Sequence, residues 1–273
     1  MSKKSENEMS FLEHLEELRW HLIRSILAIF VCAILAFVFK DIIFDKIILA
    51  PKSPDFVINR LLCELGQRFD LKNLCINSVP LDIISVKMAG QFTMHILVSL
   101  IGGLVVAFPY IFYQFWRFVA PALHGKERKH ARGAVFYSSL LFLTGVTFGY
   151  FLITPLTVHF LGSYNVSPEV ENKINLISYV STITSVVLAS GVIFELPVVV
   201  FFLTKIGVVT PEFLRKYRRH SLIAILLLSA IITPPDVFSQ VLVAIPLIIL
   251  YEISIFISRR IVRQQKRREK EGS

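Results

Sequence analysis

Six apolar blocks, residues 20–39, 83–108, 134–153, 177–203, 221–232 and 237–257, set the terms on which this chain can fold. Most reach the ~20 residues that a helix needs to cross ~30 Å of hydrocarbon. Inside lipid every backbone N–H and C=O must find its partner within the chain, which leaves only helices and closed barrels. A barrel needs period-two alternation of apolar and polar residues, and the blocks lack it. The expectation is an all-α integral membrane protein, one membrane domain over residues 1–273 with six transmembrane helices. Composition agrees, because 54% of the residues are hydrophobic, above the ~45–50% of soluble domains.

Two blocks are short. Residues 221–232 would make only ~18 Å of helix at 1.5 Å per residue. The last block is interrupted by Pro246 and reaches Glu252 after fifteen residues. Between them "TPPD" predicts a tight hairpin, since its prolines fix φ and Asp236 can cap the following helix. A short helical pair of this kind survives by thinning the bilayer locally.

The formal charge of +9 is unevenly spread. Residues 109–133 carry Arg117, Lys126, Arg128, Lys129 and Arg132, and residues 204–220 carry Lys205, Arg215, Lys216, Arg218 and Arg219. The tail over 259–273 adds seven more, whereas 154–176 holds only Lys173 and 233–236 holds none. This is the positive-inside pattern, and it predicts a multi-pass protein of the cytoplasmic (inner) membrane with both termini in the cytoplasm. The loop over 40–82 breaks the pattern, but its six basic residues face six acidic ones. The basic tail reads as an anchor on anionic membrane lipid, and no nucleic-acid partner is implied. No cleavable signal peptide is expected, because the first ten residues are polar.

Upstream of the first span, Ser10 and Glu13 form a capping box, so a helix should begin at Phe11. Phe11, Leu15, Leu18 and Leu22 share one face, with Glu13, Glu16 and Glu17 on the other. Residues 10–21 therefore read as an interfacial amphipathic helix running into span one. In the second span Lys87, Gln91, His95 and Ser99 recur every fourth residue, a polar stripe that should face protein or a wet cavity. Of three cysteines, Cys32 lies in the first span, while Cys63 and Cys75 fall in the first loop, outside the membrane. An oxidising compartment would let those two close a disulfide, and two free thiols are the alternative.

The stretch "LASGVIFELPVVVFFL", Leu188 to Leu203, places a carboxylate inside a span. Glu195 lies ten residues before Lys205, ~15 Å of helix and so near the bilayer midplane. A charge there costs roughly 2.5–3.5 kcal/mol on insertion scales. Pro197 removes the hydrogen bond to the carbonyl of Ile193, so the helix should kink beside the acid. Either Glu195 makes a structural bond between helices or it forms part of a functional polar site.

Catalytic patterns fail. Leu188 stands where an intramembrane serine protease needs glycine, and leucines at 15 and 18 break a zinc motif begun by His14. No glycine-rich phosphate loop occurs. An enzyme is not expected, and no cofactor, nucleotide or metal is implied.

Four stretches carry a family resemblance: "HLEELRWHL", "YQFWRFVAPALHGKERK", "FELPVVVFFLTKIGVVTPEFLRKYRRH" and "TPPDVFSQVLVAIPLIILYEISIF". They resemble the TatC family, the polytopic subunit of the twin-arginine protein translocase, over roughly residues 10–50 and 80–260. The resemblance implies six helices with the fifth and sixth short, a cupped, concave shape, and both termini in the cytoplasm. It implies a receptor that binds twin-arginine signal peptides of folded cargo. It also implies assembly with single-span TatB-type and TatA-type subunits and other TatC copies, driven by the proton-motive force. By resemblance Glu17, Glu127, Phe118 and Pro121 fall at signal-peptide-binding positions. Thr233 and Gln240 fall where partner helices dock, and Glu195, with Pro197 beside it, matches an intramembrane acid. Arginine forms bidentate bonds to carboxylates that lysine cannot copy, so paired acids suit a receptor for two arginines. The simpler alternative is surface pairing, Glu17 with His21 and Glu127 with its basic neighbours. The competing function is a proton-coupled small-solute transporter with Glu195 as its titrating group. Such folds usually show internal repeats, and none is visible here.

Overall fold

A computed structural model describes residues 11–69, 75–76, 81–119, 131–167, 169, 172–233 and 237–271. The chain forms two compact units, Met1–Lys40 with His95–Leu140, and Asp41–Met94 with Leu141–Ser273. Among the described residues five helices are long and apolar enough to cross a membrane: Leu15–Val38, Gly90–Val119, Gly133–Ser163, Leu176–Lys205 and Gln240–Gln265.

In the first unit the amphipathic segment and span one are a single helix, α1 (Phe11–Val38). Trp20, Leu27, Phe30, Ile34 and Val38 on α1 are more than half exposed. On a soluble protein that surface would be an aggregation hazard; against acyl chains it is the expected face. The partner of α1 is α3 (Gly90–Val119), which contributes residues 95–119 to this unit. Their closest approach is at Gly103, where a Cβ would stand 2.6 Å from the backbone nitrogen of Ala33 and 2.8 Å from the carbonyl oxygen of Ile29. Membrane helices lack a hydrophobic drive toward each other, so close backbone contact through small residues does that work.

The second unit opens with the first connection, which folds rather than loops. A π turn (Ile42–Ile48), a 3₁₀ turn (Ala50–Lys52) and α2 (Val57–Arg68) follow one another. Two tyrosine hydroxyls hold this segment, Tyr150 donating to the carbonyl of Ile47 at 2.8 Å and Tyr179 to that of Ile48 at 3.0 Å. A two-residue strand β1 (Ile83–Ile84) pairs in parallel with β2 (Ile174–Asn175), Ile83 opposite Ile174. The third span is one long rod, α4 (Ala131–Phe148), a π turn (Gly149–Ile153) and α5 (Thr154–Ser163). It packs closely on α6 (Leu176–Phe194), because a Cβ at Gly145 or Gly149 would fall within 2.7 Å of Ser190.

After α6 come α7 (Leu196–Lys205), α8 (Pro211–Lys216), α9 (Arg218–Ile232) and α10 (Val237–Glu271). Helix α7 ends in a Schellman motif, with Gly207 at φ 80° and the N–H of Val208 donating to the carbonyl of Leu203. Ile153, Val186, Phe194, Val200, Ile225 and Leu247 belong to one buried core that α10 completes with Tyr251 and Ile255. Tyr251 donates to the carbonyl of Leu214 at 2.7 Å, and the buried hydroxyls of Thr204 and Ser258 meet at 2.9 Å.

Three boundaries differ from the sequence expectation. The second span is helical from Gly90, not from 83, and passes Pro109 to Val119. An apolar run reads alike as strand or helix, and Ile83–Ile84 belong to the strand. Lys87 is thus off the helix, and the polar stripe reduces to Gln91, His95 and Ser99. The fifth helix is short as expected, its 15 residues making about 22 Å. The sixth is not: α10 runs 35 residues through Pro246 and on into the basic tail. Of the "TPPD" hairpin, Pro234, Pro235 and Asp236 lie outside the described residues, as do Ser10 and the capping box.

Candidate functional site

The polar residues of the first unit meet where α1 and α3 run side by side. Glu17 and His21 are one turn apart on α1, the i and i+4 spacing that puts two side chains on one face. His21 is only 6% exposed and Gln114 of α3 only 3%. His21 Nδ1 lies 2.6 Å from Gln114 Oε1, and its Nε2 lies 3.8 Å from Glu17 Oε1. A neutral imidazole has one N–H to give, so only the imidazolium donates toward both oxygens. Phe118, a turn beyond Gln114, presents its ring edge-on to His21 at 6.5 Å between centroids. Below the cluster, Ser25 donates to the carbonyl of His21 at 2.9 Å.

Glu17 is the unfinished member of this group. Its side chain keeps 36% exposure, yet its second oxygen, Oε2, is buried without a hydrogen-bond partner among the described residues. A carboxylate oxygen removed from water with no donor is costly, and a cationic donor that reaches it recovers that cost. A guanidinium is the side-chain group best shaped to do so. The structure thus brings Glu17 and Phe118 to one buried histidine. Glu127 and Pro121 lie outside the described residues. Sequence reasoning treated His21 as a surface pairing and passed over Gln114. The available signals were the four-residue spacing from Glu17 and a lone amide among the aromatic residues of "YQFWRFV".

In the second unit the kink expected beside Glu195 is a one-residue interruption between α6 and α7 within the span Leu176–Lys205. Glu195 itself is the joint, at φ −74° and ψ −5°. Its carbonyl accepts from Val198 at 2.9 Å and Val199 at 3.0 Å, so the next helix starts from it. Pro197 sits in the first turn of α7, where it needs no donor, and is fully buried. Glu195 is half-buried, with Oε1 shielded, and Phe194 beside it packs on Phe148 at 5.4 Å between ring centroids.

Thr233 ends α9 and Gln240 lies in the first turn of α10. Thr233 is buried and donates to the carbonyl of Ser229 at 2.7 Å, ending α9. Gln240 donates across to the carbonyl of Leu226 at 3.1 Å, tying the first turn of α10 to α9. Farther along the same helix pair, Arg218 and Glu252 form an exposed ion pair that the sequence did not suggest. Cys63 and Cys75 are joined in a disulfide that closes the connection after α2.

Comparison with known proteins places this arrangement among relatives. The family model described as "Sec-independent protein translocase protein (TatC)" matches residues 13–246. The Sec-independent protein translocase protein TatC of Blattabacterium sp. subsp. Periplaneta americana is 42% identical over 258 residues, 94% of this chain and 97% of its own length. That of Desulforapulum autotrophicum is 34% identical over 99% of this chain and 92% of its own. A crystal structure of the twin arginine translocase receptor TatC in DDM is similar, with a TM-score of 0.69 and 35% identity. The similarity covers 90% of this chain and 99% of that one.

Proposed function

The chain belongs to the TatC family of Sec-independent protein translocase proteins, and we propose that within the translocase it is the subunit that reads twin-arginine signal peptides. The fold class agrees with that family, an all-α multi-pass membrane protein. The observation that carries the reading is the buried Oε2 of Glu17, unpartnered among the described residues and held beside His21 and Phe118. One arginine of the signal pairs with Glu17 and the other with Glu127, with Phe118 and Pro121 shaping the adjoining segment. Two bidentate pairs favour arginine over lysine, because an ammonium is a point charge without the planar fork.

In this reading both termini and the basic loops face the cytoplasm of the cell whose inner membrane holds the protein. Folded cargo crosses on the proton-motive force with TatB-type and TatA-type single-span subunits and further copies of this chain. Thr233 and Gln240 mark where a partner helix docks. Glu195, at the break in span four, meets the inserted signal peptide or a partner helix during transport. The bond from Gln240 to Leu226 is one that a docking helix would have to exchange.

The test is capture of a synthetic twin-arginine signal peptide by the purified full chain in nanodiscs. Wild type should retain it and release a twin-lysine version. Glu17→Lys and Glu127→Lys should each weaken capture about 10-fold or more, the scale of one lost charged hydrogen bond of roughly 1.5–3 kcal/mol. A double reversal that still binds at wild-type affinity refutes the assignment. Co-purification separates this reading from a proton-coupled solute transporter, which would retain neither signal peptide nor single-span partners.

A further inference from the structure

Helix α2 carries an outward stripe that the family reading leaves unused. Val57, Leu61 and Leu65 follow at four-residue intervals and Phe69 continues the series at the C-cap, exposed by 58%, 48%, 38% and 68%. At ~100° per residue these four span about 120° of the helix circumference. The opposite face is pinned. Asn59 is buried and donates to the carbonyls of Pro51 at 3.1 Å and Ser53 at 2.8 Å. Cys63, bonded to Cys75, points away from the stripe's centre, and Gly66 is buried beside it. The helix therefore cannot roll to hide its apolar residues. Next to the stripe, Arg60, Glu64 and Gln67 are exposed, and the exposed Arg68 falls just inside its Val57 edge, so a polar surface adjoins the apolar one.

The spans around it bear on the level of α2 relative to the bilayer. Tyr179 lies in the first turn of α6, where the fourth span begins, and its hydroxyl holds the carbonyl of Ile48. Tyrosines whose ring is apolar and whose hydroxyl is bonded are typical of the membrane–water boundary. Phe56, the residue that precedes α2, stacks on Phe151 of the third span at 5.6 Å and meets Tyr150 edge-on at 5.6 Å. The helix thus starts from the flank of the third span, and the chain just before it is tied to the first turn of the fourth.

From this we infer that α2 is an interfacial helix whose stripe Val57, Leu61, Leu65 and Phe69 lies in the leaflet on the side where span four enters, with lipid as its occupant. An amphipathic helix with arginines at the edge of its apolar arc matches such a surface, since the arginine stems cover hydrocarbon while the guanidinium groups reach headgroup phosphates. The disulfide and Asn59 hold the stripe toward the lipid. The connection between spans one and two is then a lateral foot on the membrane, not a free loop.

The test uses the full chain with Cys32→Ser, its Cys63–Cys75 bridge left oxidised, in vesicles of phosphatidylethanolamine and phosphatidylglycerol. A nitroxide is attached in turn at Leu61→Cys, Leu65→Cys, Glu64→Cys and Gln67→Cys. Oxygen, which concentrates in lipid, should collide several-fold more often than a water-soluble nickel chelate at 61 and 65, and the order should reverse at 64 and 67. Photolabelling of the unsubstituted chain by a lipid-borne diazirine should leave adducts within residues 57–69. Nickel-dominated collisions at 61 and 65 would put the stripe in water and overturn the inference. Exclusion of both reagents there, with no lipid adducts, would overturn it in favour of a protein partner or second copy.

Discussion

Replacing Gly103 by Ala adds one methyl group where α1 and α3 touch, and the neighbouring glycine supplies the control. At Gly103 the new Cβ would stand 2.6 Å from Ala33 N, 2.8 Å from Ala33 Cα and 2.8 Å from the oxygen of Ile29. All three are backbone atoms, so no rotamer change relieves the contact. The helices must part by close to 1 Å to reach the ~3.5 Å at which non-bonded atoms attract. Overpacking of this kind costs about 1–3 kcal/mol, whereas Gly to Ala in a helix returns only ~0.8–1.0 kcal/mol. The net expectation is destabilisation of up to ~2 kcal/mol. At Gly102 the added Cβ would meet only the Cβ of Ala36 at 3.9 Å, an ordinary contact. Gly102→Ala should therefore gain stability by up to ~1 kcal/mol through helix propensity alone. Thermal unfolding of both variants in detergent, followed by loss of monodisperse protein, should move the midpoints in opposite directions. Because α1 and α3 also hold His21 against Gln114, the Gly103 variant should lose signal-peptide capture as well. Equal behaviour of the two variants would refute the argument that backbone contact at 103 sets the helix spacing.

Three further outcomes are expected. Single cysteines at Ser2 and Ser167 should react with an impermeant reagent from opposite sides of the membrane; equal external labelling of both contradicts the orientation. Non-reduced peptides from the mature protein should yield a Cys63–Cys75 cross-link by mass spectrometry, and two alkylatable thiols would count against it. Glu195→Leu should insert, accumulate and capture signal peptide yet export cargo poorly, with Glu195→Gln more active if hydrogen bonding alone matters; full export by the Leu variant removes the acid from the mechanism.

Where covalent chemistry or simple length dictates structure, the sequence was readable. The long spans follow from apolar length alone, and the break at Glu195 follows from Pro197, whose ring forbids the intact helix. The start of span two was not readable, because Ile83–Ile84 are apolar in either conformation and only their pairing with Ile174–Asn175 decides between them. The length of α10 was missed for a different reason. Charge marked residues 259–271 as a tail, but arginine, lysine, glutamine and glutamate are good helix formers, and nothing stops the helix at the membrane edge. The recognition residues split in the same way. Glu17 was assigned by family resemblance, whereas His21 read as its surface partner. Its burial depends on Gln114, 93 positions away, and no local pattern reports such a contact.

Glu195, Thr233 and Gln240, three of the residues proposed for binding, share a physical setting. Glu195 joins two helices, Thr233 ends one and Gln240 lies in the first turn of another. Helix ends and breaks leave backbone N–H and C=O groups without their usual partners, and in a membrane each such group must be answered by something polar. A polar side chain placed there costs less than one in mid-helix, since it can serve the backbone while no partner is present. Gln240 donates to the carbonyl of Leu226, inside α9, and Thr233 to that of Ser229, which its own N–H also reaches. An incoming helix that offers its own polar group exchanges one hydrogen bond for another and creates no unsatisfied one. The net change is then small in either direction, which suits the reversible docking proposed for these positions. Glu17 is arranged differently: its Oε2 has no such interim partner among the described residues. Its gain on meeting a guanidinium would be correspondingly larger, in keeping with the recognition role proposed for it.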